Sequence, residues 1–136
     1  MSEPFRTSIS PMLAVPNGPE AMEFYKNAFG AIERWKIGDG EVAGMFVDGA
    51  PFFLANETPS RGALSPLRAG GTTVRVELFV DDPVAWHARA LEAGAIEGNP
   101  VTEHHHPMTG REPWDRMLQG GLKDPFGHVW LIGRPL

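Results

Sequence analysis

The sequence predicts a mixed α+β protein made of two consecutive β-α-β-β-β modules. The first indication is an internal repeat, because Gly30-Ala31-Ile32-Glu33 recurs as Gly94-Ala95-Ile96-Glu97, 64 positions later. The second is that both copies close a similar unit: an extended apolar segment, a helix opened by proline and a glycine stop. The third is composition. The chain has 16 Gly and 13 Pro in 136 residues, about twice average usage, which implies many tight turns and short elements.

The first module begins with an apolar strand over residues 10–15. Asn17-Gly18-Pro19 supplies a helix cap with proline at the first helical position. Met22, Tyr25 and Phe29, with Ala21 and Ala28, form one apolar helical face, and Gly30 sits where a left-handed stop is needed. Three short strands follow, over residues 31–36, 41–47 and 51–55, separated by the hairpin signals Gly38-Asp39-Gly40 and Asp48-Gly49.

The second module repeats this order. A strand over residues 74–80 precedes a helix that Asp82-Pro83 opens, and its predicted apolar stripe is Val84, Ala88 and Leu91 before the stop at Gly94. Three strands follow at residues 96–101, 116–122 and 128–132, the last two joined by Asp124-Pro125-Phe126-Gly127. We therefore predict one domain, residues 1–136, with module one at about 8–56, a linker at 57–71 and module two at about 72–134.

Composition excludes several classes of function. Twelve Lys and Arg against 17 Asp and Glu leave a net charge of −5 and no basic run, so no nucleic-acid partner is expected. The absence of cysteine removes disulfides and thiolate metal sites and fits a reducing compartment. The longest apolar run, residues 50–55, is far shorter than the ~20 residues of a membrane span. We expect a cytoplasmic protein with no membrane partner.

The closing segment Asp124-Pro125-Phe126-Gly127-His128-Val129-Trp130-Leu131-Ile132 on a duplicated module resembles the vicinal oxygen chelate superfamily, which includes glyoxalase I, extradiol dioxygenases and the fosfomycin- and bleomycin-resistance proteins. With residues 10–15 and the segment Phe24-Tyr25-Lys26-Asn27-Ala28-Phe29-Gly30, it looks most like the PhnB-like branch. The resemblance covers residues 10–132. It implies that each module curls into half of a cup with its helix outside.

Metal-binding members of that superfamily place ligands on the first and last strands of each module. The repeat puts those places at Ser10, Phe53, Arg75 and Leu131, which offer no imidazole or carboxylate donor. We therefore expect no metal, no cofactor, and no glyoxalase I or extradiol dioxygenase activity.

Strand alternation predicts what lines the cup. If Arg75 faces inward, so do Glu77 and Phe79, while Val74, Val76, Leu78 and Val80 pack beneath the helices. The predicted ligand-binding residues are Met12, Phe53, Arg75, Glu77, Phe79, Trp114 and Leu131. Arg75 is expected to meet an anionic group, although an ion pair between Arg75 and Glu77 is an equal alternative.

The function that these features favour is metal-free binding of a small molecule. The alternative is an enzyme: a glyoxalase-like lyase with a non-standard metal site of His104, His106 and Glu77, or a metal-free catalyst with Glu77 as acid/base. A component of a larger assembly with a vestigial cup is a third alternative. We interpret Glu103-His104-His105-His106 as part of an exposed loop, residues 102–113, and His87 as a solvent-exposed or capping side chain.

The oligomer expected from the resemblance is a homodimer, since two half-cups leave apolar edges that a twofold partner would bury. Trp35, Phe46 and Phe52 are the candidate contact residues. Whether the modules pair within one chain or between chains stays open.

Overall fold

The chain forms eight β-strands and three α-helices, as described by a computed structural model for residues 3–107 and 114–136. The bounds are β1 Met12–Val15, α1 Gly18–Phe29, β2 Ile32–Ile37, β3 Val42–Val47, β4 Ala50–Asn56, α2 Pro66–Ala69, β5 Arg75–Phe79, α3 Pro83–Glu92, β6 Ile96–His105, β7 Arg116–Lys123 and β8 Val129–Pro135. A short 3-10 turn, Pro59–Arg61, lies between β4 and α2. None of the helices in the described ranges is long and apolar enough to cross a membrane.

The strands form two four-stranded sheets of the same topology. The first has the order β1-β4-β3-β2 and the second β5-β8-β7-β6. In each, the first and last strands of the module pair in parallel and the other pairs are antiparallel. This arrangement confirms the predicted α+β fold with a duplicated β-α-β-β-β unit.

Helix α1 has the ends and the buried face that the sequence predicts. The Asn17 side chain accepts a hydrogen bond from the Glu20 amide at 3.0 Å, and Gly30 ends the helix with a left-handed φ of 66°. The predicted apolar face is buried throughout, and Phe24 is buried with it; the set is Ala21, Met22, Phe24, Tyr25, Ala28 and Phe29.

Helix α3 differs from the prediction. The expected stripe of Val84, Ala88 and Leu91 is wrong, because Val84 is 59% exposed and Ala88 is exposed too. The buried residues are instead Pro83, His87 and Ala90. The expected exposure of His87 is also wrong: its Nε2 lies 3.3 Å from the Gly121 carbonyl oxygen. Packing against β7, where His87 contacts the Gly121 carbonyl oxygen, decided which face of α3 is buried.

The linker at residues 57–71 is partly regular, since it contains the 3-10 turn and α2. The Glu57 carboxylate accepts hydrogen bonds from the Ser65 amide at 2.9 Å and from Arg68 Nε at 3.0 Å. The bonds from Ser65, with a smaller contribution from Arg68, hold the pKa of Glu57 below its usual value.

Strand β6 is longer than predicted and runs to His105. Glu103, His104 and His105 therefore belong to a strand, and their interpretation as a loop is wrong. Pairing with β7 decides this, because His104 lies opposite Met117 and His105 opposite Arg116. Residues 108–113 of the predicted 102–113 loop lie outside the described residues.

Both sheets pack their helix-facing sides onto one core. Phe52 of β4 and Trp130 of β8 are buried, and their ring centroids are 5.5 Å apart. Phe29 of α1 reaches the same indole at 4.7 Å. Each buried aromatic side chain stabilises the fold by roughly 1.5–3 kcal/mol. Since the helix-facing sides meet, the opposite faces of the two sheets look away from one another.

The Asp124-Pro125-Phe126-Gly127 turn joins this core to the strands. The buried Asp124 carboxylate accepts hydrogen bonds from Tyr25 Oη at 2.5 Å and Trp130 Nε1 at 2.9 Å, and from the amides of Phe126 and His128. His128 Nε2 lies 2.8 Å from the Ala14 carbonyl oxygen and so links the turn to β1. Residues 124–128, which carry much of the family resemblance, thus have a structural role.

Candidate functional site

The second sheet exposes a face that we call the second open face; it comprises the outward residues of β5, β7 and β8, namely Arg75, Glu77, Phe79, Gln119, Gly121, Lys123, Val129 and Leu131. The predicted alternation is observed, because Arg75, Glu77 and Phe79 are exposed while Val76 and Leu78 pack against the core. Val74 departs from the prediction. It precedes β5 and is 64% exposed.

The centre of this face is polar. Gln119 Nε2 donates a hydrogen bond to Glu77 Oε1 at 3.0 Å. The Gln119 carbonyl oxygen lies 3.1 Å from His104 Nε2, which also lies 3.2 Å from Thr102 Oγ1. Gln119 was not among the predicted site residues. The alternation of side chains along β7 would have indicated it, because Gln119, Gly121 and Lys123 lie on the same face of the strand.

One end of the second open face is aromatic. The rings of Phe79 and Trp114 lie 4.8 Å apart between centroids, and these side chains are 44% and 40% exposed. Both residues of this pair are among the predicted ligand-binding residues.

Arg75 lies at the other end of β5, about 13 Å from Phe79 at the usual rise of a strand. Within the described ranges no ion pair joins Arg75 to Glu77, whose carboxylate is bound by Gln119 instead. The alternative of an Arg75–Glu77 pair is therefore not what the structure shows.

The first sheet exposes a more apolar face, which we call the first open face; it comprises Met12, Ala14, Trp35, Gly44, Phe46, Phe53 and Ala55. Met12 is 54% exposed, and the Trp35 and Phe53 rings lie 5.3 Å apart. A Cβ at Gly44 would collide with the Trp35 indole, so a larger residue would displace that ring. Phe52, a candidate dimer contact, is 4% exposed and lies in the core, so that assignment is wrong.

The predicted ligand-binding residues therefore divide between two surfaces. Met12 and Phe53 lie on the first open face, whereas Arg75, Glu77, Phe79 and Leu131 lie on the second, with Trp114 against Phe79. A single chain does not bring them into one cavity, because the two open faces look apart.

Comparison with known proteins gives the family. Residues 9–132 match the sequence model of the Glyoxalase/Bleomycin resistance protein/Dioxygenase superfamily. The chain belongs to this superfamily. An uncharacterised protein of Mycobacterium bovis is 34% identical over 95% of this chain and 84% of its own length.

Solved structures of other proteins share the fold. A gene product of Arabidopsis thaliana is 27% identical, with a TM-score of 0.67 over 96% of this chain and 100% of its own. TioX from Micromonospora sp. ML1 is 24% identical, with a TM-score of 0.69 over 96% of this chain and 100% of its own. The identity to TioX supports the fold alone.

The superfamily's metal positions do not fit a metal in this chain. Ser10 precedes β1 and Phe53 lies on the first open face, while Arg75 and Leu131 lie on the second. These four side chains provide no imidazole or carboxylate. Nor do three side chains of His, Cys, Asp or Glu come together as a metal site anywhere in residues 3–107 and 114–136. The alternative set His104, His106 and Glu77 is thus not assembled within the chain.

Proposed function

We propose that this chain is a metal-free small-molecule-binding protein of the PhnB-like branch that acts as a cytoplasmic homodimer. In the dimer the first open face of one chain lies over the second open face of its partner, and the ligand binds between them. The observation that carries the proposal is that the two open faces of one chain look apart while each exposes large apolar side chains. Such faces are typical of surfaces that bind a partner or ligand.

The chemistry of the two faces supports an amphipathic, anionic ligand. Met12, Trp35 and Phe53 offer an apolar wall. The second open face offers the Phe79–Trp114 pair, a glutamine–glutamate hydrogen bond and the Arg75 guanidinium. A mostly apolar surface with a few convergent polar groups is the usual composition of a small-molecule site.

A catalytic role for Glu77 has less support. Its carboxylate is bound by Gln119 Nε2, and no histidine donates to it within the described residues. A general acid or base needs a substrate proton within hydrogen-bond reach. The site between the two open faces of the dimer, which we call the composite cup, would bring such a proton to Glu77 only for a ligand that is already bound there.

Oligomeric state and probe binding test the proposal together. Sedimentation should give about twice the 14.9 kDa of one chain. Anilinonaphthalene sulfonate, an aromatic anion, serves as the probe. Phe53→Glu and Phe79→Glu should each abolish its binding, because a charge then lies in the apolar part of every site. The matched control is Val84→Glu, which alters an exposed side chain of α3 outside both faces and should leave binding unchanged.

A mixed dimer separates this arrangement from a site within one chain. When Phe53→Glu and Phe79→Glu chains are paired through two affinity tags, one composite site contains both substitutions and the other contains neither. The mixed dimer should therefore recover one probe per dimer. A monomer in sedimentation, or a mixed dimer that binds no probe, would show that the faces do not pair in this way.

A further inference from the structure

A cleft lies on the second open face, at the end opposite Phe79 and Trp114. Its volume is ≈ 320 Å³. Strand register builds it, because Arg75 lies opposite Val129, Val129 opposite Lys123 and Lys123 opposite Ile96. Arg75, Val129 and Lys123 thus stand side by side on one face. With strands about 4.8 Å apart, the two cationic residues are separated by about 10 Å between backbones.

Neither cation has a partner in the part of the chain that the structure describes. The Arg75 guanidinium and the Lys123 ammonium form no hydrogen bond and no ion pair there. The carboxylate among the residues that line the cleft is Glu97, whose Oε1 lies 4.0 Å from Nε2 of the buried His87. Long, flexible stems let both cationic heads reach one group above Val129.

Glycine keeps the floor of the cleft open. A Cβ at Gly121 would lie 3.3 Å from Leu131 Cδ2 and 3.9 Å from Asn99 Nδ2, so a larger side chain would occupy the space between them. The Asn99 amide borders this space and has no hydrogen-bond partner among the described residues. It adds a neutral donor beside the two cations.

We propose that this cleft binds a doubly charged oxyanion of the phosphate-monoester type. A guanidinium offers two parallel N–H donors to such a group, and an ammonium adds a point charge from the other side. Two cations that have no partner among the described residues thus lie side by side in a chain with a net charge of −5, whose overall field repels anions.

This inference deepens the proposed function and rests on it in one respect, since the cleft is one end of the face to which the ligand binds. The phosphate group of the ligand lies between Arg75 and Lys123. Its apolar body extends past Glu77 to the Phe79–Trp114 pair, a span of about 13 Å. The ligand class is accordingly an organic phosphate with an apolar or aromatic body.

Titration with inorganic phosphate tests the cleft without the apolar body. In amide NMR spectra of the ¹⁵N-labelled protein, phosphate should shift the signals of Arg75, Asn99, Gly121 and Lys123, with a dissociation constant in the millimolar range, about −4 kcal/mol. Acetate, which carries one charge, should bind at least tenfold more weakly. Chloride at matched ionic strength should shift none of these signals, because screening alone has no preferred location.

Two substitutions and a matched control complete the test. Arg75→Met and Lys123→Met keep much of each apolar stem and remove its charge, and each should weaken phosphate binding at least tenfold. Lys36→Met removes an exposed cation that pairs with Glu33 on the first sheet and should change nothing. Equal binding by all three variants, or no localised shifts with phosphate, would overturn the proposal. Phosphate binding that persists when anilinonaphthalene sulfonate does not bind would support the cleft and reject the composite cup, and the reverse result would do the opposite.

Discussion

The two modules share one topology, but their helices contribute differently to the core. Positions Phe24, Tyr25 and Phe29 of α1 correspond, 64 residues later, to Ala88, Arg89 and Ala93. The first set is buried in the core shared by both sheets, whereas Ala88 and Arg89 are exposed. The large side chains of α1 fill the shared core, and α3 carries small or charged residues at the equivalent positions.

Helix α3 of the second module stabilises the end of α1 through a side-chain contact. Arg89, at the position equivalent to Tyr25, donates hydrogen bonds from Nε to the Asn27 carbonyl at 2.9 Å and from Nη2 to the Lys26 carbonyl at 3.5 Å. It therefore covers the carbonyl end of α1 with a positive charge. The two modules thus share a fold, but α1 provides the large core side chains and Arg89 of α3 stabilises the carbonyl end of α1.

The open faces diverge in the same manner. The first presents Met12, Phe53 and Trp35, while the second carries Arg75, Lys123 and the Glu77–Gln119 hydrogen bond. An apolar wall and a polar wall are complementary for an amphipathic ligand. That complementarity is why we propose that they meet across a dimer.

Substitution of Phe29 is the strongest test of the difference between the two helices. Phe29→Ala should lower the free energy of unfolding by about 4 kcal/mol, because it removes a ring packed at 4.7 Å from Trp130. Val84→Ala on α3, where the side chain is 59% exposed, should change it by less than about 0.5 kcal/mol. Urea unfolding of both variants measures the difference. Equal losses would mean that the two helices contribute alike to the core.

Titration of Tyr25, the protein's single tyrosine, tests the core that the two modules share. Burial raises the pKa of Tyr25 well above its ordinary value, and the Asp124 carboxylate raises it further. The folded protein thus holds this proton more tightly than the unfolded chain. Its contribution to stability is fully present below about pH 10 and is lost as pH rises beyond that value.

Absorbance at the tyrosinate wavelength follows this single group. Ionisation should occur well above pH 10 and together with loss of near-ultraviolet circular dichroism. Urea unfolding of the native protein should give a falling free energy above about pH 10, and Tyr25→Phe should flatten that fall. Tyrosinate that forms near pH 10 in a protein that is still folded would contradict the buried Tyr25–Asp124 contact.

The smallest expected effect lies at the contact between the helices. Arg89→Ala should lower the free energy of unfolding by about 1 kcal/mol, since it removes a cation and its hydrogen bonds from the end of α1. Salt should reduce this difference, because the interaction is exposed. Arg61→Ala, in the 3-10 turn of the linker, is the control and should be neutral. A loss of equal size in both variants would remove the supporting role of Arg89.

Much of the architecture could be predicted from local chemistry. Asn17, Pro19 and Gly30 determine the ends of α1, and strand alternation places Arg75, Glu77 and Phe79 on one face. Prediction failed where contacts distant in sequence decide the structure. The buried face of α3 includes His87, which contacts Gly121 of β7, and the extension of β6 to His105 depends on pairing with β7.

The sequence by itself determined the duplicated module, the ends of α1, the face on which Arg75, Glu77 and Phe79 lie, and the lack of imidazole or carboxylate donors at Ser10, Phe53, Arg75 and Leu131. These are consequences of local geometry and side-chain chemistry, with periods of two or about 3.6 residues. Only the tertiary structure decided that the faces look apart, because contact between Phe52 and Trp130 turns both helix-facing sides inward. It also decided that Arg75 and Lys123 stand beside one Val129, since register between strands is a property of the folded sheet.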